Sequence, residues 1–324
     1  MLVVDTAEAV RSQLGPTAVT IGAYDGVHLG HRAVLEALAK RAAAFGGQSA
    51  VVTFDRHPAE VVRPESAPRL LCDAEQKLEL LEAVGVDICV VVRFDHERAA
   101  ESPVDFVTEI VVELLGARCL IVGEDFHFGH RRAGNVALLR ELGLRHGFEV
   151  VGQRLVGPDG QPARDDSNVS STAIRRALTE GRLADANAML GRPHEMRGPV
   201  VPGDQRGRTI GFPTANVAMS DRMAMPADGI YAGHLVDRTD DGRPLPAAIY
   251  LGHRPTFYDD DAATLLEVHS LEPCGDIYGH AVSVAFEHRL RGDQRFDSVD
   301  ALAEQLALDC RAARTVLGSG GSDR

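Results

Sequence analysis

The chain has 324 residues, 44% hydrophobic and 25% charged, which is longer than one typical domain and apolar enough to fill ordinary cores. Its formal net charge of −13 excludes a broad nucleic-acid surface, which needs concentrated Lys and Arg. No apolar run approaches the ~18 residues that cross a bilayer, and the start, Met1-Leu2-Val3-Val4-Asp5, lacks the basic flank and long apolar stretch of a secretory signal. No membrane partner is therefore expected. The five cysteines (Cys72, Cys89, Cys119, Cys274, Cys310) are scattered and form no CxxC pair. A disulfide framework and a zinc site both lack support, and a reducing cytoplasm fits best. Lys40 and Lys77 are the only lysines, and no GxxxxGK[ST] loop occurs. Any polyphosphate must be held by Arg, His, backbone N–H groups and metal.

In chain order, Val19–Ile21, Ala50–Phe54, Ile88–Val92 and Cys119–Val122 read as buried strands. Helix-period segments at Ala33–Ala44, Ala74–Ala83 and Val104–Leu115 lie between them. This alternation predicts βαβ units and a parallel sheet covered on both faces, with ligands beyond the carboxyl ends of the strands. Glu149–Val151 reads as a further strand and Thr172–Glu180 as a helix stopped by Gly181. From about Arg192, Pro and Gly become frequent. Short runs at Gly198–Val201, Ile230–Val236, Ala247–Leu251, Leu265–Ser270 and Ala281–Phe286, with turn residues such as Asp241-Gly242 and Cys274-Gly275, predict a small antiparallel barrel. A last helix, Val299–Leu317, carries Leu302, Leu306, Cys310 and Ala313 as one stripe to lie on that barrel. Residues 1–186 and 187–317 are the expected domains, and 318–324 the expected disordered tail.

Directly after the first of these strands comes Gly22-Ala-Tyr-Asp25-Gly26-Val-His28-Leu-Gly30-His31, followed by a helical pattern. Gly22, Gly26 and Gly30 let the backbone turn tightly and pass close to a ligand. The helix start offers free N–H groups and positive dipole to a polyphosphate. His28 and His31, three apart, can point to one side and stabilise charge developing on an α-phosphate. A metal pair lacks a third ligand nearby. Strand, Gly, Asp-Gly, two His and helix in this order match the HxGH signature of nucleotidyltransferases related to class I aminoacyl-tRNA synthetases. Thr53-Phe-Asp-Arg-His-Pro58, Gly123-Glu-Asp125-Phe126-His127-Phe-Gly129 and Ser170-Ser171-Thr172-Ala-Ile-Arg175 follow. In the last, the hydroxyls can cap a helix or bind phosphate, and Arg175 can reach it. Together these segments resemble the FMN adenylyltransferase domain of bacterial bifunctional FAD synthetases.

The other half contains Gly203-Asp-Gln-Arg-Gly207-Arg208-Thr-Ile-Gly211-Phe-Pro213-Thr214-Ala-Asn216. Glycines at four-residue spacing read either as a Gly-rich hairpin or as a loop folding over a phosphate chain. Thr214 and Asn216 are hard oxygen donors suited to Mg²⁺ bound with ATP. Glu267, in Leu265-Leu-Glu-Val-His269, either faces solvent or takes a proton from an attacking hydroxyl. This pattern resembles the riboflavin kinase barrel. Arg254–Phe257, Asp276–Gly279 and Arg291…Phe296 match that family's later segments.

The resemblance to the bifunctional family spans roughly residues 15–316 and implies two ATP sites. The barrel would phosphorylate riboflavin to FMN with Glu267 as base, Thr214 and Asn216 on Mg²⁺, Gly203, Gly207, Arg208 and Gly211 along the phosphates, and Arg291 at the flavin. The amino-terminal, Rossmann-like α/β domain would adenylylate FMN to FAD and release pyrophosphate. There His28 and His31 would stabilise the transition state; Gly22, Asp25, Gly26, Gly30, Ser171, Thr172 and Arg175 would hold ATP; Asp125 and Phe126 would border the flavin. Departures from the family pattern stand at Tyr24, His127, Ala173, Tyr250 and His253. Three alternatives remain: a paralogue with one impaired site or a modified flavin, another HxGH transferase, and a non-catalytic flavin or nucleotide sensor.

Overall fold

The computed structural model of the chain describes residues 1–5, 14–154, 157, 168–203, 211–239, 242–253 and 264–318. It divides into two compact units, Met1–Ser171 and Thr172–Arg324.

The first unit runs β1 (Leu2–Asp5), β2 (Thr17–Ile21), α1 (Leu29–Ala44), β3 (Gln48–Phe54), α2 (Pro58–Val62), α3 (Ala74–Ala83), β4 (Ile88–Val92), α4 (His96–Ala100), α5 (Pro103–Phe106), β5 (Ala117–Gly123), β6 (His127–Phe128), β7 (Gly134–Asn135), α6 (Val136–His146) and β8 (Glu149–Gln153). A π-helical stretch, Val107–Leu114, continues α5. Six strands form one parallel sheet in the order β1-β4-β3-β2-β5-β8. The strands are apolar on both sides because helices cover both faces. Val19, Ile21, Val52, Val90 and Leu120 pack towards Phe106, Ile110 and Leu139 on one face. Ala18, Val51, Cys89 and Ile121 pack towards Leu35, Leu38 and Leu81 of α1 and α3 on the other. Each such fully buried Leu or Ile contributes about 1.5–3 kcal/mol. Caps fix where helices begin: the Asp73 carboxylate accepts the Gln76 N–H of α3, and Asn135 Oδ1 accepts the Leu138 N–H of α6. The chain moves from β2 outward through β3 and β4, then returns to the other side of β2 as β5. The strand order reverses there, so the carboxyl ends of β2 and β5 frame the crevice where such sheets bind ligands.

The second unit begins within α7 (Ser171–Thr179), one residue past its start, and goes on to α8 (Leu183–Leu190). It continues with β9 (His194–Val201), β10 (Ala215–Val217), β11 (Gly229–Asp237), β12 (Leu245–His253), β13 (Thr264–Ser270), β14 (Ala281–Arg291) and α9 (Val299–Gly318). The expected division after residue 186 falls within α8. Asn187 of that helix donates to the Phe286 carbonyl at 2.8 Å and accepts the His194 N–H at 2.8 Å, so α8 is packed on β9 and β14. The six strands close an antiparallel barrel in the order β10-β13-β12-β11-β14-β9. Along β12 and β13, Ala247, Ile249, Leu251, Leu266 and Val268 are sealed inside while Tyr250 and Glu267 alternate outward, as the two-residue period of a strand requires. Outside, Ala232 and Ala248 meet Cys310 and Ala313 of α9. That is the helix expected from the Cys310–Ala313 stripe, now ending at Gly318 rather than Leu317. The rest of the expected tail, 319–324, lies outside the described residues, as do Gly207, Arg208 and the Arg254–Phe257 segment.

Candidate active sites

The first site is built on the turn between β2 and α1. His28 is the N-cap of α1, with φ −72° and ψ 174°, and its Nδ1 accepts the His31 N–H at 3.4 Å. With Nδ1 accepting, the ring hydrogen sits on Nε2. The His28 and His31 rings stack at 3.7 Å and 17°, and Tyr24 lies 4.8 Å from His31. Burial first, and His28 second, push the His31 pKa well below its usual value, so His31 is neutral at pH 7. Gly30 has a specific steric reason. A Cβ there would stand 3.1 Å from the His28 ring and 3.1 Å from the Val169 carbonyl.

Asp25 is only 5% exposed, and its carboxylate accepts the Leu71 N–H at 2.7 Å and the Cys72 N–H at 3.3 Å. It therefore anchors the turn from below. Cys72 Sγ accepts the Gly26 N–H at 3.0 Å, and the Ser171 hydroxyl donates to the Asp25 carbonyl at 3.1 Å. Thr172 is exposed and Arg175 half-buried; they follow Ser171 on α7 and belong to the second unit. Gly22, at the end of β2, donates its N–H to the Val52 carbonyl at 3.0 Å. Beyond β5, Asp125 is exposed and Phe126 stacks on Phe128 at 5.5 Å and 15°. These two stand at the other side of the sheet's crevice.

The second site lies on the barrel's outer wall. Asn216 of β10 stands directly opposite Glu267 of β13, and Glu267 directly opposite Tyr250 of β12. Directly opposed residues point to the same face, so the three form a row across three strands. The row continues through Ile230, the register partner of both Tyr250 and Arg291. Gly203 faces the Asn216 amide so closely that a Cβ there would overlap it. Burial, then the charges of Asp293, Asp228 and Glu267, raise the Tyr250 pKa, so its phenol stays protonated. Arg291 is engaged by α9: its guanidinium donates to both Asp309 carboxylate oxygens at 2.9 and 2.7 Å. It also lies 5.9 Å from the Phe296 ring centre.

Beside the row, a cavity of about 830 Å³ opens between Pro213, Thr214, His269, Asp276, Tyr278 and Arg314. His269 Nδ1 donates to the Pro213 carbonyl at 2.8 Å and holds this segment against β13. Sequence reasoning gave His269 no role, nor Cys72 or Lys77. Only the two-residue spacing from Glu267 to His269, which puts both on one strand face, could have flagged the first.

A strand–turn–helix site carrying HxGH on a doubly wound sheet, followed by a closed antiparallel barrel with polar residues on its wall, defines a two-module transferase. A FAD synthetase family model matches residues 10–173, and a riboflavin kinase family model matches residues 190–317. The bifunctional riboflavin kinase/FMN adenylyltransferase of Escherichia coli K12 is 38% identical over 300 residues, 93% of this chain and 92% of that protein. Its Pseudomonas fluorescens counterpart is 39% identical over 297 residues, 92% of each chain. The chain belongs to the bifunctional riboflavin kinase/FMN adenylyltransferase family. A Streptococcus pneumoniae crystal structure described as a macrolide-efflux protein superposes with a TM-score of 0.82 at 28% identity, covering 97% of this chain and 99% of that one. Among the described residues of the present chain, no helix is long and apolar enough to cross a membrane.

Proposed function

We propose that this chain makes FAD in two steps, phosphorylating riboflavin with one ATP on the barrel and adenylylating the FMN with a second ATP on the parallel-sheet unit, in the cytoplasm. The observation that carries the reading is the pairing of two unlike polar sites on one chain. One is a histidine-capped helix start; the other is the Asn216–Glu267 row on the barrel wall.

On the barrel, Glu267 takes the proton of the riboflavin 5′-hydroxyl as that oxygen attacks the γ-phosphorus of ATP. The cavity beside Thr214 and Pro213 receives the nucleotide, with Gly203, Gly207, Arg208 and Gly211 along its phosphates. Thr214 and Asn216 offer a hydroxyl and an amide oxygen, hard donors that fit Mg²⁺, and Gly203 leaves room for the Asn216 amide beside its strand. Bound there with ATP, the ion would neutralise phosphate charge. Arg291, committed to Asp309, shapes the flavin side from behind.

On the sheet unit, the FMN phosphate attacks the α-phosphorus of ATP and pyrophosphate leaves. His28 Nε2–H donates to the α-phosphate oxygen as its charge grows, and neutral His31 stacks behind it. Gly22, Gly26 and Gly30 bring backbone close to the nucleotide, and Asp25 braces their turn. Ser171 through its main-chain N–H, with Thr172 and Arg175, holds the triphosphate; Asp125 and Phe126 border the flavin. The working boundary between the modules is residue 186.

Chromatography of products tests this directly. Riboflavin with ATP–Mg²⁺ should yield FMN and then FAD, and supplied FMN should yield FAD. Formation of neither product overturns the reading.

A further inference from the structure

The segment Leu71–Lys77 has no part in the chemistry above, yet it grips the turn leading to His28 at several points. Leu71 and Cys72 hold the Asp25 carboxylate, and Cys72 Sγ holds the Gly26 N–H. Lys77 of α3 acts one layer deeper. Its ammonium donates to the Phe54 carbonyl at 2.8 Å and to Thr53 Oγ1 at 3.3 Å, and the Thr53 hydroxyl donates to the Ala23 carbonyl at 3.2 Å. Ammonium, hydroxyl and carbonyl thus form one chain from α3 to the turn.

The turn requires this support. Tyr24, Gly26 and Val27 sit at φ +49°, +82° and +38°, and the tyrosine and valine carry side chains in the left-handed region. Such backbone persists only where its surroundings over-determine it. Among the described residues Lys77 forms no ion pair, although a buried ammonium ordinarily finds a carboxylate. Two of its three N–H groups are used, which leaves one for a cavity of about 30 Å³ that it lines with Asp25, Asp55, Arg56, His57 and Asp73.

We propose that Lys77 is a positioning residue for adenylyl transfer: through Thr53 and Ala23 its ammonium holds the Gly22–Val27 turn in the conformation that presents His28. This rests on the reading that the sheet unit makes FAD. Losing the proton leaves two N–H groups, enough for both bonds but without the positive charge that strengthens them, so the chain of bonds weakens as Lys77 deprotonates. Burial lowers the Lys77 pKa, against the opposing influence of Cys72, Cys89, Asp25 and Asp55. Arg56 and His57 also face it across the cavity.

The test is FAD formation from supplied FMN across pH, in the full chain, for wild type, K77M and K77R, with FMN formation from riboflavin as the internal control. Wild type should lose kcat on an alkaline limb below the ordinary lysine value of 10.5. K77M should lower kcat by about tenfold or more while KM for ATP moves by less than about threefold, as expected for misplacement of a reacting group. K77R should recover most of kcat and lose the limb, because guanidinium keeps its proton. Wild-type kcat in K77M, an unmoved limb in K77R, or no limb in wild type would each overturn the proposal. If K77M does not fold, the wild-type and K77R pH profiles decide alone. If wild type makes no FAD from FMN, the assignment of the sheet unit itself fails.

Discussion

The Ser171 hydroxyl donates to the main-chain carbonyl of Asp25 at 3.1 Å, linking positions 146 residues apart in sequence. It ties the first residue of α7 to the turn that carries His28. A hydroxyl that sequence alone could assign either to a helix cap or to phosphate already has a partner in the turn.

Replacing Ser171 by Ala removes that donor and leaves a carbonyl of the 5% exposed Asp25 without it. A hydrogen bond of this kind is worth about 1 kcal/mol. S171A should therefore lower kcat/KM for FAD formation by roughly fivefold, and S171T should retain most of it. Steady-state assays with supplied FMN read this out. Unchanged kinetics in S171A would place the bond outside the working site.

His28 is expected to matter far more. Losing one preorganised donor to a developing oxyanion costs about 10²–10³ in kcat, so H28A should nearly abolish FAD formation while FMN formation continues. G30A provides a steric check. Its Cβ would press on the His28 ring and the Val169 carbonyl at 3.1 Å, so it should impair the same step without removing any polar group.

Glu267 gives the mirror image. A positioned general base contributes about 10²–10⁴-fold, and E267Q keeps the shape while removing the basicity. Phosphorylation of riboflavin should fall by that factor, with FAD still made from supplied FMN at the wild-type rate. Loss of both products in E267Q would break the assignment of separate sites.

The barrel should also soften in acid through His194. This ring is 1% exposed, its Nε2–H donates to the Ala224 carbonyl at 3.0 Å, and its Nδ1 has no hydrogen-bond partner among the described residues. Burial lowers its pKa from 6.5 to about 4. Between those values the unfolded chain binds a proton that the folded barrel refuses, so stability is full above pH 6.5 and falls as pH drops towards 4. The loss amounts to about 3 kcal/mol. Thermal melts across this range should show a declining Tm for the wild type. H194F, starting from a lower Tm, should show a flatter profile over the same interval.

Much of this architecture was legible because it rests on local rules. Val19–Ile21, Ala50–Phe54 and Ile88–Val92 are apolar on both faces, and each became a central parallel strand. His28-Leu-Gly-His31 announced a helix start through residue types whose spacing is itself the geometry. Less local features escaped. β1 has only four half-exposed residues and is a strand because β4 offers it an edge; β10 is three residues long and gains its identity from β9 and β13. The pairing of Arg291 with Asp309, eighteen positions on, has no signal in the spacing of either residue. Lys77 meets Thr53 across 24 residues, a relation that no spacing rule carries.

Asn216 and Glu267, the residues proposed for the chemistry, stand on the outer wall, apart from what fills the barrel. Leu266, Val268, Ile249 and Phe286 form the filling and are almost completely sealed. Volume-conserving exchanges among such residues cost less than about 1.5 kcal/mol each. The inside can therefore be rebuilt for heat tolerance as an engineering project of its own. Changes of substrate would be sought on the wall, and the two sets of mutations should combine with little interference.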